Sequence, residues 1–246
     1  MIPNPIHKVL STLSTHGVRA LLMGGQACVL YGAAEFSRDT DIMILADREN
    51  LDRLRLALRE LNAVVIAVPP CDPVYLKRGH AIHFRCRRPD VNGMRLDVMA
   101  VMRGVDDFPS LWARRTTVET GEGQFEVLAL RDLIKAKKTQ RDKDWPMIRR
   151  LVEADYEAAR GQGEEERIVF WLEESRTPEM LFRLATRYPQ LLNKAAVSRP
   201  FLGRVNLEDV SAIEEELKRE EQAERAQDRE YWKPLRAELE RLRHGG

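Results

Sequence analysis

The sequence predicts an α+β protein whose first half contains a sheet and whose second half is helical. Two observations lead to this prediction. Short apolar runs alternate with helical apolar stripes over the first hundred residues, which is typical of strands and helices in turn. Nearly every segment beyond residue 130 has helical composition. Gly161-Gln162-Gly163 is the best linker, so the chain is divided into residues 1–160 and a helical region over 161–246.

The elements of the first hundred residues follow from hydrophobic spacing and from Gly and Pro signals. In order, they are a helix over 5–15, a strand over 18–23, a glycine turn at 24–25, a short helix over 26–31, a strand over 41–45, a helix over 48–61, and strands over 63–68, 80–85 and 94–101. The last two strands flank an Asn-Gly pair, which predicts a hairpin.

The remaining elements are predominantly helical. In order, they are a helix over 108–114, a short strand over 125–128, and helices over 130–140, 145–159, 164–175, 178–188 and 207–243. Residues 214–230 are almost wholly charged and predict a solvated single helix or a disordered spacer. Apolar residues over 231–242 form a stripe that needs a docking surface, so a homo-oligomer or a partner protein bound through the C-terminal helices is expected.

Composition excludes several classes of function. The 246 residues contain no apolar run of the roughly 20 residues that a membrane span needs, and the first eight residues resemble neither a signal peptide nor a presequence. A cytoplasmic protein without membrane contact is expected. The 40 basic and 39 acidic residues leave a net charge of +1, so the overall field gives no argument for nucleic acid.

The segment that predicts a functional site consists of Met23-Gly24-Gly25, 13 further residues, and Asp39-Thr40-Asp41. Successive side chains of a strand alternate between faces, so Asp39 and Asp41 project to the same side. Paired carboxylates of this kind are the hard oxygen ligands that Mg²⁺ prefers. Asp97 lies in the apolar run Arg95-Leu-Asp-Val-Met, where a carboxylate needs a metal or a base beside it.

A Gly-Gly pair between a strand and a helix lets the backbone approach a phosphate closely. Each feature also has a structural interpretation, since glycines form turns and Asp caps helices and turns. Their conjunction in this order favours a functional site that joins phosphate and metal.

These residues resemble the nucleotidyltransferase superfamily related to DNA polymerase beta. Within it they are most similar to the small prokaryotic branch of AbiEii-type toxins and aminoglycoside nucleotidyltransferases. The resemblance covers about residues 18 to 152. It implies a mixed β-sheet flanked by helices over 1–160, which would be the catalytic domain, and it leaves the role of 161–246 open.

The resemblance also implies residue roles. Gly24 and Gly25 would bind the triphosphate, and Asp39, Asp41 and Asp97 would be the catalytic carboxylates that bind two Mg²⁺ ions. The branch tends to carry a helical lysine followed by an Arg-x-Lys-Asp run. The remaining nucleotide-binding residues are then Lys137, its partner Asp144, and Arg38 before the acidic pair.

The function implied is Mg²⁺-dependent transfer of a nucleoside monophosphate from an NTP, ATP among them, to a hydroxyl acceptor with release of pyrophosphate. A tRNA, a protein and a small molecule all remain open as the acceptor. The alternative is a catalytically inactive relative of the same fold, an interaction module such as a toxin-antitoxin component.

Overall fold

A computed structural model describes residues 4–120 and 123–244. The chain divides into two compact units. The first comprises the described residues within 1–30, 34–136 and 230–246, and the second comprises 31–33 and 137–229. These units are not divided at residue 160. The assignment of 1–160 as a catalytic domain and of 161–246 as a separate region stays a prediction.

The first unit contains the strands and the helices between them. The strands are β1 Ala20–Met23, β2 Asp39–Ile44, β3 Val64–Val65, β4 Ile82–Arg85, β5 Arg95–Met99, β6 Thr116–Thr120 and β7 Gly123–Val127. The helices are α1 Asn4–Thr15, α2 Gly24–Leu30, α3 Arg48–Glu60, α4 Pro73–Arg78, α5 Phe108–Ala113 and α6 Leu130–Lys137, whose last residue belongs to the second unit.

The strands form one mixed sheet in the order β3-β4-β5-β2-β1-β7-β6. β2 runs parallel to β5, and β1 runs parallel to β7. The other neighbouring strands are antiparallel. The predicted mixed sheet flanked by helices is therefore confirmed, as is the antiparallel pairing of β4 with β5.

The two faces of the central strands differ in chemistry. Even-numbered residues of β2, β4 and β5, such as Ile42, Phe84 and Val98, are buried. Phe84 and Val98 line a small cavity together with the buried leucines of α3, so this face forms the core. Odd-numbered residues of the same strands are mostly polar and lie on the opposite face.

Several elements differ from the sequence-based prediction. The strand expected over 63–68 is reduced to two residues, and β2 begins at Asp39 rather than Asp41. The first two residues of α2 are the glycines expected to form a turn. Helix α4 and strand β6 were not predicted, because α4 has only six residues and β6 has few apolar ones.

The second unit is helical, as predicted. Its helices are α7 Asp144–Ala158, α8 Glu165–Glu174, α9 Pro178–Arg187, α10 Leu192–Ser198, which was not predicted, and the first part of α11 Val210–His244. Trp171 is fully buried in this unit and packs edge-on against Tyr156. The charged segment 214–230 is helical, which confirms the helix and not the disordered spacer.

The end of α11 belongs to the first unit and packs on it. Tyr231 and Leu235 lie against Gly79, and Glu238 bonds to His80 and Arg78. Part of the apolar stripe therefore has its docking surface within the same chain. A homo-oligomer or partner protein at these helices stays a prediction. None of the helices described is both long and apolar enough to cross a membrane.

Candidate functional site

The predicted acidic residues lie on one face of the sheet. Asp41 on β2 is the register partner of Asp97 on β5, and Asp97 is the register partner of His83 on β4. Asp39 lies one pleat away, beside Arg95. Register partners project to the same side of a sheet. The structure therefore brings all three aspartates to the polar, odd-numbered face, opposite the core.

Gly24 lies directly against the carboxylate of Asp41. A Cβ added at Gly24 would stand 2.0 Å from Asp41 Oδ2, and the residue has a φ of +66°. Both facts require glycine at this position, because other residues rarely adopt that φ and any side chain would overlap the carboxylate. The Gly24 backbone and the acidic row therefore belong to one site.

Gly25 and Arg38 lie close to the same strand. A Cβ on Gly25 would stand 2.6 Å from Ser37 Oγ, and Ser37 donates a hydrogen bond to the Asp39 carbonyl at 3.3 Å. Arg38 is exposed, and among the described residues it has no hydrogen bond or ion pair. The roles predicted for Gly25 and Arg38 in nucleotide binding are not tested by these contacts.

Asp97 is the most buried of the three aspartates and has two partners. Arg95 Nε donates to Asp97 Oδ1 at 2.8 Å, and His83 Nδ1 lies 2.9 Å from the same oxygen. Burial raises the pKa of Asp97. The hydrogen bonds and charges of His83 and Arg95 lower it by a larger amount, so the pKa is below its usual value. Asp97 is thus an anion at neutral pH.

Arg95 interacts with the whole acidic group. Its guanidinium bonds to Asp97, and its pKa is raised above the usual value by that hydrogen bond and by the charges of Asp97, Asp39 and Asp41. A second guanidinium nitrogen of Arg95 lies 3.2 Å from His83 Nδ1. One arginine therefore faces three carboxylates.

The arrangement of the potential metal ligands bears on metal binding. Among residues 4–120 and 123–244, no three His, Cys, Asp or Glu side chains are arranged as the ligands of a metal ion. The carboxylates are nevertheless oxygen donors on one face of the sheet, the ligand type that hard divalent cations prefer. In this arrangement Arg95 pairs with Asp97.

Lys137 and Asp144 form a separate cluster in the second unit. Lys137 ends α6 and places Nζ 3.4 Å from Asp144 Oδ1 at the start of α7. Thr139 and Arg141 both donate to Asp144 Oδ2, at 2.6 and 2.7 Å. Asp144 is almost fully buried and acts here as a partner of cations. The nucleotide-binding roles of Lys137 and Asp144 remain predictions.

His83 and Arg95 were not among the site residues predicted from the sequence. Arg95 and Asp97 are two residues apart in one strand, so alternation alone places both on one face. The position of His83 depends on the register between β4 and β5. That register is a property of the folded hairpin, and no local sequence signal specified it.

Comparisons with known proteins add little. No protein-family model matches the chain, and no curated protein is significantly similar to it. The chain is similar to the solved structure of an antigenic nucleotidyltransferase-like protein from Paracoccidioides brasiliensis. The sequence identity is 15% and the TM-score is 0.38. The match covers 71% of this chain and 95% of that chain. A likeness at that score carries no argument about function. The AbiEii-type branch stays a prediction.

Proposed function

We propose that this protein is a nucleotidyltransferase that moves a nucleoside monophosphate from an NTP to a hydroxyl acceptor. The observation that carries the proposal is the placement of Asp39, Asp41 and Asp97 on one face of the sheet, with the Gly24 backbone in contact with Asp41. A row of carboxylates is the donor type that suits the cation accompanying a triphosphate.

In the proposed reaction the acceptor oxygen bonds to the α-phosphorus, and the bond from that phosphorus to the leaving pyrophosphate breaks. Asp97, which is ionised at neutral pH, is proposed to accept the hydroxyl proton. His83 and Arg95 hold the Asp97 carboxylate in one orientation. The absence of a side chain at Gly24 leaves room for the Asp41 carboxylate.

Asp39, Asp41 and Asp97 are the residues that would hold Mg²⁺. When bound, Mg²⁺ neutralises phosphate oxygens and lowers the pKa of a hydroxyl that it holds. Arg38 is proposed to neutralise part of the charge of the triphosphate.

The test is transfer of label from each α-³²P-NTP, with Mg²⁺ present, to total tRNA, to protein or to a panel of small hydroxyl compounds. Asp41→Asn removes one charge and is expected to lower the rate at least about 100-fold, since the site works by stabilising charge. The matched control is Asp52→Asn, an exposed aspartate on α3 that pairs with Arg55.

The wild type and Asp52→Asn are expected to transfer label at equal rates. Equal transfer by Asp41→Asn would overturn the proposed site. No transfer to any acceptor, together with no NTP binding by calorimetry, would overturn the proposed function.

A further inference from the structure

Two arginines stand directly opposite each other on the polar face of the sheet. Arg85 on β4 is the register partner of Arg95 on β5. In the next pair of the ladder Cys86 N donates to the Met94 carbonyl at 2.8 Å. Hydrogen-bonded and non-hydrogen-bonded pairs alternate, so the two arginines form a non-hydrogen-bonded pair, with Cα atoms about 4.5 Å apart and close side chains. Like charges placed directly opposite destabilise a sheet, so an anion bound between them would stabilise this pair.

The charge of Arg85 is not matched by a carboxylate. Among the residues that the structure describes, Arg85 has no hydrogen bond or ion pair, and it is exposed. Arg87, which continues the alternation of β4 by one more step, is exposed and without such a partner as well. In contrast, Arg88 donates to Glu60 and Asp90. The unmatched positive charge of this segment therefore lies on the polar face.

Arg95 can contact a ligand without leaving Asp97. It uses Nε for Asp97 and one terminal nitrogen toward His83. Its other terminal nitrogen makes no hydrogen bond within the described part of the chain, and its side chain is 40% exposed. The planar fork of a guanidinium matches the oxygens of a phosphate. Two adjacent guanidinium groups on an exposed face are therefore suited to one phosphate group.

The arginine pair and the glycines lie on opposite sides of the carboxylates. The strand order is β4-β5-β2-β1. Arg85 is on β4, whereas Gly24 and Gly25, which are predicted to bind the triphosphate, follow β1. The acidic residues lie between them, on β5 and β2. A phosphate at Arg85 would therefore lie on the side of the carboxylates that is left for the acceptor.

We propose that Arg85, together with Arg95, binds a phosphate group of the hydroxyl acceptor. This inference rests on the proposed function, because it assumes that an acceptor hydroxyl reacts beside the neighbouring carboxylates. The substrate class is thus a hydroxyl compound that carries a phosphate. The phosphate can belong to a nucleic acid strand or to a small phosphorylated molecule, and the chemistry that Arg85 recognises is the same in both.

The first test measures how inorganic phosphate shifts the melting temperature at constant ionic strength. Saturating phosphate is expected to raise the melting temperature of the wild type by at least about 2 °C, because a ligand of the folded state stabilises it. Arg85→Met removes the charge and keeps an apolar stem. This variant is expected to lose more than half of the rise.

The matched control for this test is Arg59→Met. Arg59 is an exposed arginine of α3, and within the described residues it has no hydrogen bond or ion pair. Helix α3 packs on the opposite face of the sheet, where its leucines meet Phe84 and Val98. Arg59→Met changes the total charge by the same amount and is expected to keep the full rise. Without phosphate, Arg85→Met is expected to melt no lower than the wild type, because the repulsion from Arg95 is removed.

The second test compares acceptors in the label-transfer assay. The acceptors are total tRNA, a panel of small phosphorylated hydroxyl compounds, the same compounds without phosphate, and protein. Label is expected only on phosphate-bearing acceptors, and its appearance on tRNA or on a small compound identifies the source of the phosphate. Arg85→Met is expected to raise the KM for that acceptor at least about tenfold and to change the KM for the NTP less than about twofold, since a charge-assisted hydrogen bond to the acceptor alone is lost.

Three outcomes would overturn the inference. The first is that Arg85→Met keeps the full rise in melting temperature, or that phosphate produces no rise in the wild type. The second is label only on acceptors that lack a phosphate, and the third is a raised KM for the NTP instead of the acceptor. In each case, loss of transfer in Asp41→Asn would leave the proposed function standing. No transfer by the wild type, with a rise that Arg85→Met loses, would overturn the proposed function and the assignment to an acceptor, and would leave a phosphate site alone.

Discussion

Two residues, Gly24 and Asp41, show how closely the backbone and the acidic face are fitted. Gly24 combines a positive φ with a space that the Asp41 carboxylate fills. Asp41 lies in the middle of the sheet, between β1 and β5, so it has little freedom to retreat. The position therefore requires glycine for two separate reasons, of conformation and of space.

Gly24→Ala is expected to destabilise the protein and abolish the proposed transfer. Positive φ alone costs an alanine about 1 to 2 kcal/mol, and overlap with a packed neighbour adds about 1 to 3 kcal/mol. Chemical denaturation measures the sum as a change in the free energy of unfolding.

Gly32→Ala is the matched control for Gly24→Ala. Gly32 has a φ of +75°, yet a Cβ there would meet no atom within 4 Å. Gly32→Ala is expected to lower the free energy of unfolding only by what the positive φ costs an alanine. Equal costs for the two variants would contradict the close contact between Gly24 and Asp41.

At this scale the sequence predicted part of the site. Asp39 and Asp41 share a face because strand residues alternate, and that rule needs no knowledge of the fold. The same rule would have placed Arg95 beside Asp97. His83 was not predictable, because its place depends on which residue of β5 it pairs with.

Among the elements, caps and buried ion pairs decide where helices begin and how they are held. Helix α4 was missed, although Asp72 caps its first turn through Val74 N and Gly79 ends it with a φ of +98°. Its Asp-Pro start and Gly end are recognised signals. Its six residues are too few to show an apolar period.

In the second unit α11 is held by an ion-pair cluster. Arg199 is 3% exposed and donates to Glu220 through Nε and a terminal nitrogen, at 3.0 and 2.6 Å. Arg176 donates to the same carboxylate at 2.7 Å. Two arginines therefore share the carboxylate of one glutamate of α11.

Glu220→Gln is expected to lower the free energy of unfolding at pH 7 by about 2 to 3 kcal/mol, because it leaves a buried arginine without its counter-charge. The matched control is Glu215→Gln on the same helix, whose partner Arg219 is largely exposed. It is expected to change stability by less than about 0.5 kcal/mol.

The effect of Glu220→Gln should depend on pH. Burial raises the pKa of Glu220. The hydrogen bonds and charges of Arg199 and Arg176 lower it by a larger amount, so its pKa in the folded protein is below the usual value. Its stabilisation is therefore present above the usual glutamate pKa of about 4.3 and is lost as the pH falls through the folded pKa. Denaturation curves at several pH values should show the gap to the wild type closing in acid, and a constant gap would contradict this account.

Across the whole molecule, the two ends of the chain contribute to one unit. Residues 230–244 follow the helical half in sequence but pack on the first unit through Tyr231, Leu235 and Glu238. The sequence predicts the apolar stripe and its need for a docking surface. It could not identify the surface, because a contact between positions about 150 residues apart leaves no local signal.

Deletion of 230–246 is expected to lower the melting temperature of the protein. The reason is that the deletion uncovers His80, which is 1% exposed and bonds to Glu238 at 2.8 Å. Calorimetry measures the change. Deletion of 241–246 alone, which keeps these contacts, is the control, and equal melting temperatures for both would contradict the role of α11 in the first unit.

The most direct test of the central claim compares two labelled forms of the same NTP. Nucleotidyl transfer predicts that label from the α-phosphate appears on the acceptor and that label from the γ-phosphate appears in pyrophosphate, and that Asp41→Asn abolishes both. Label from the γ-phosphate on the acceptor would instead indicate phosphoryl transfer. That result, or transfer undiminished in Asp41→Asn, would contradict the account.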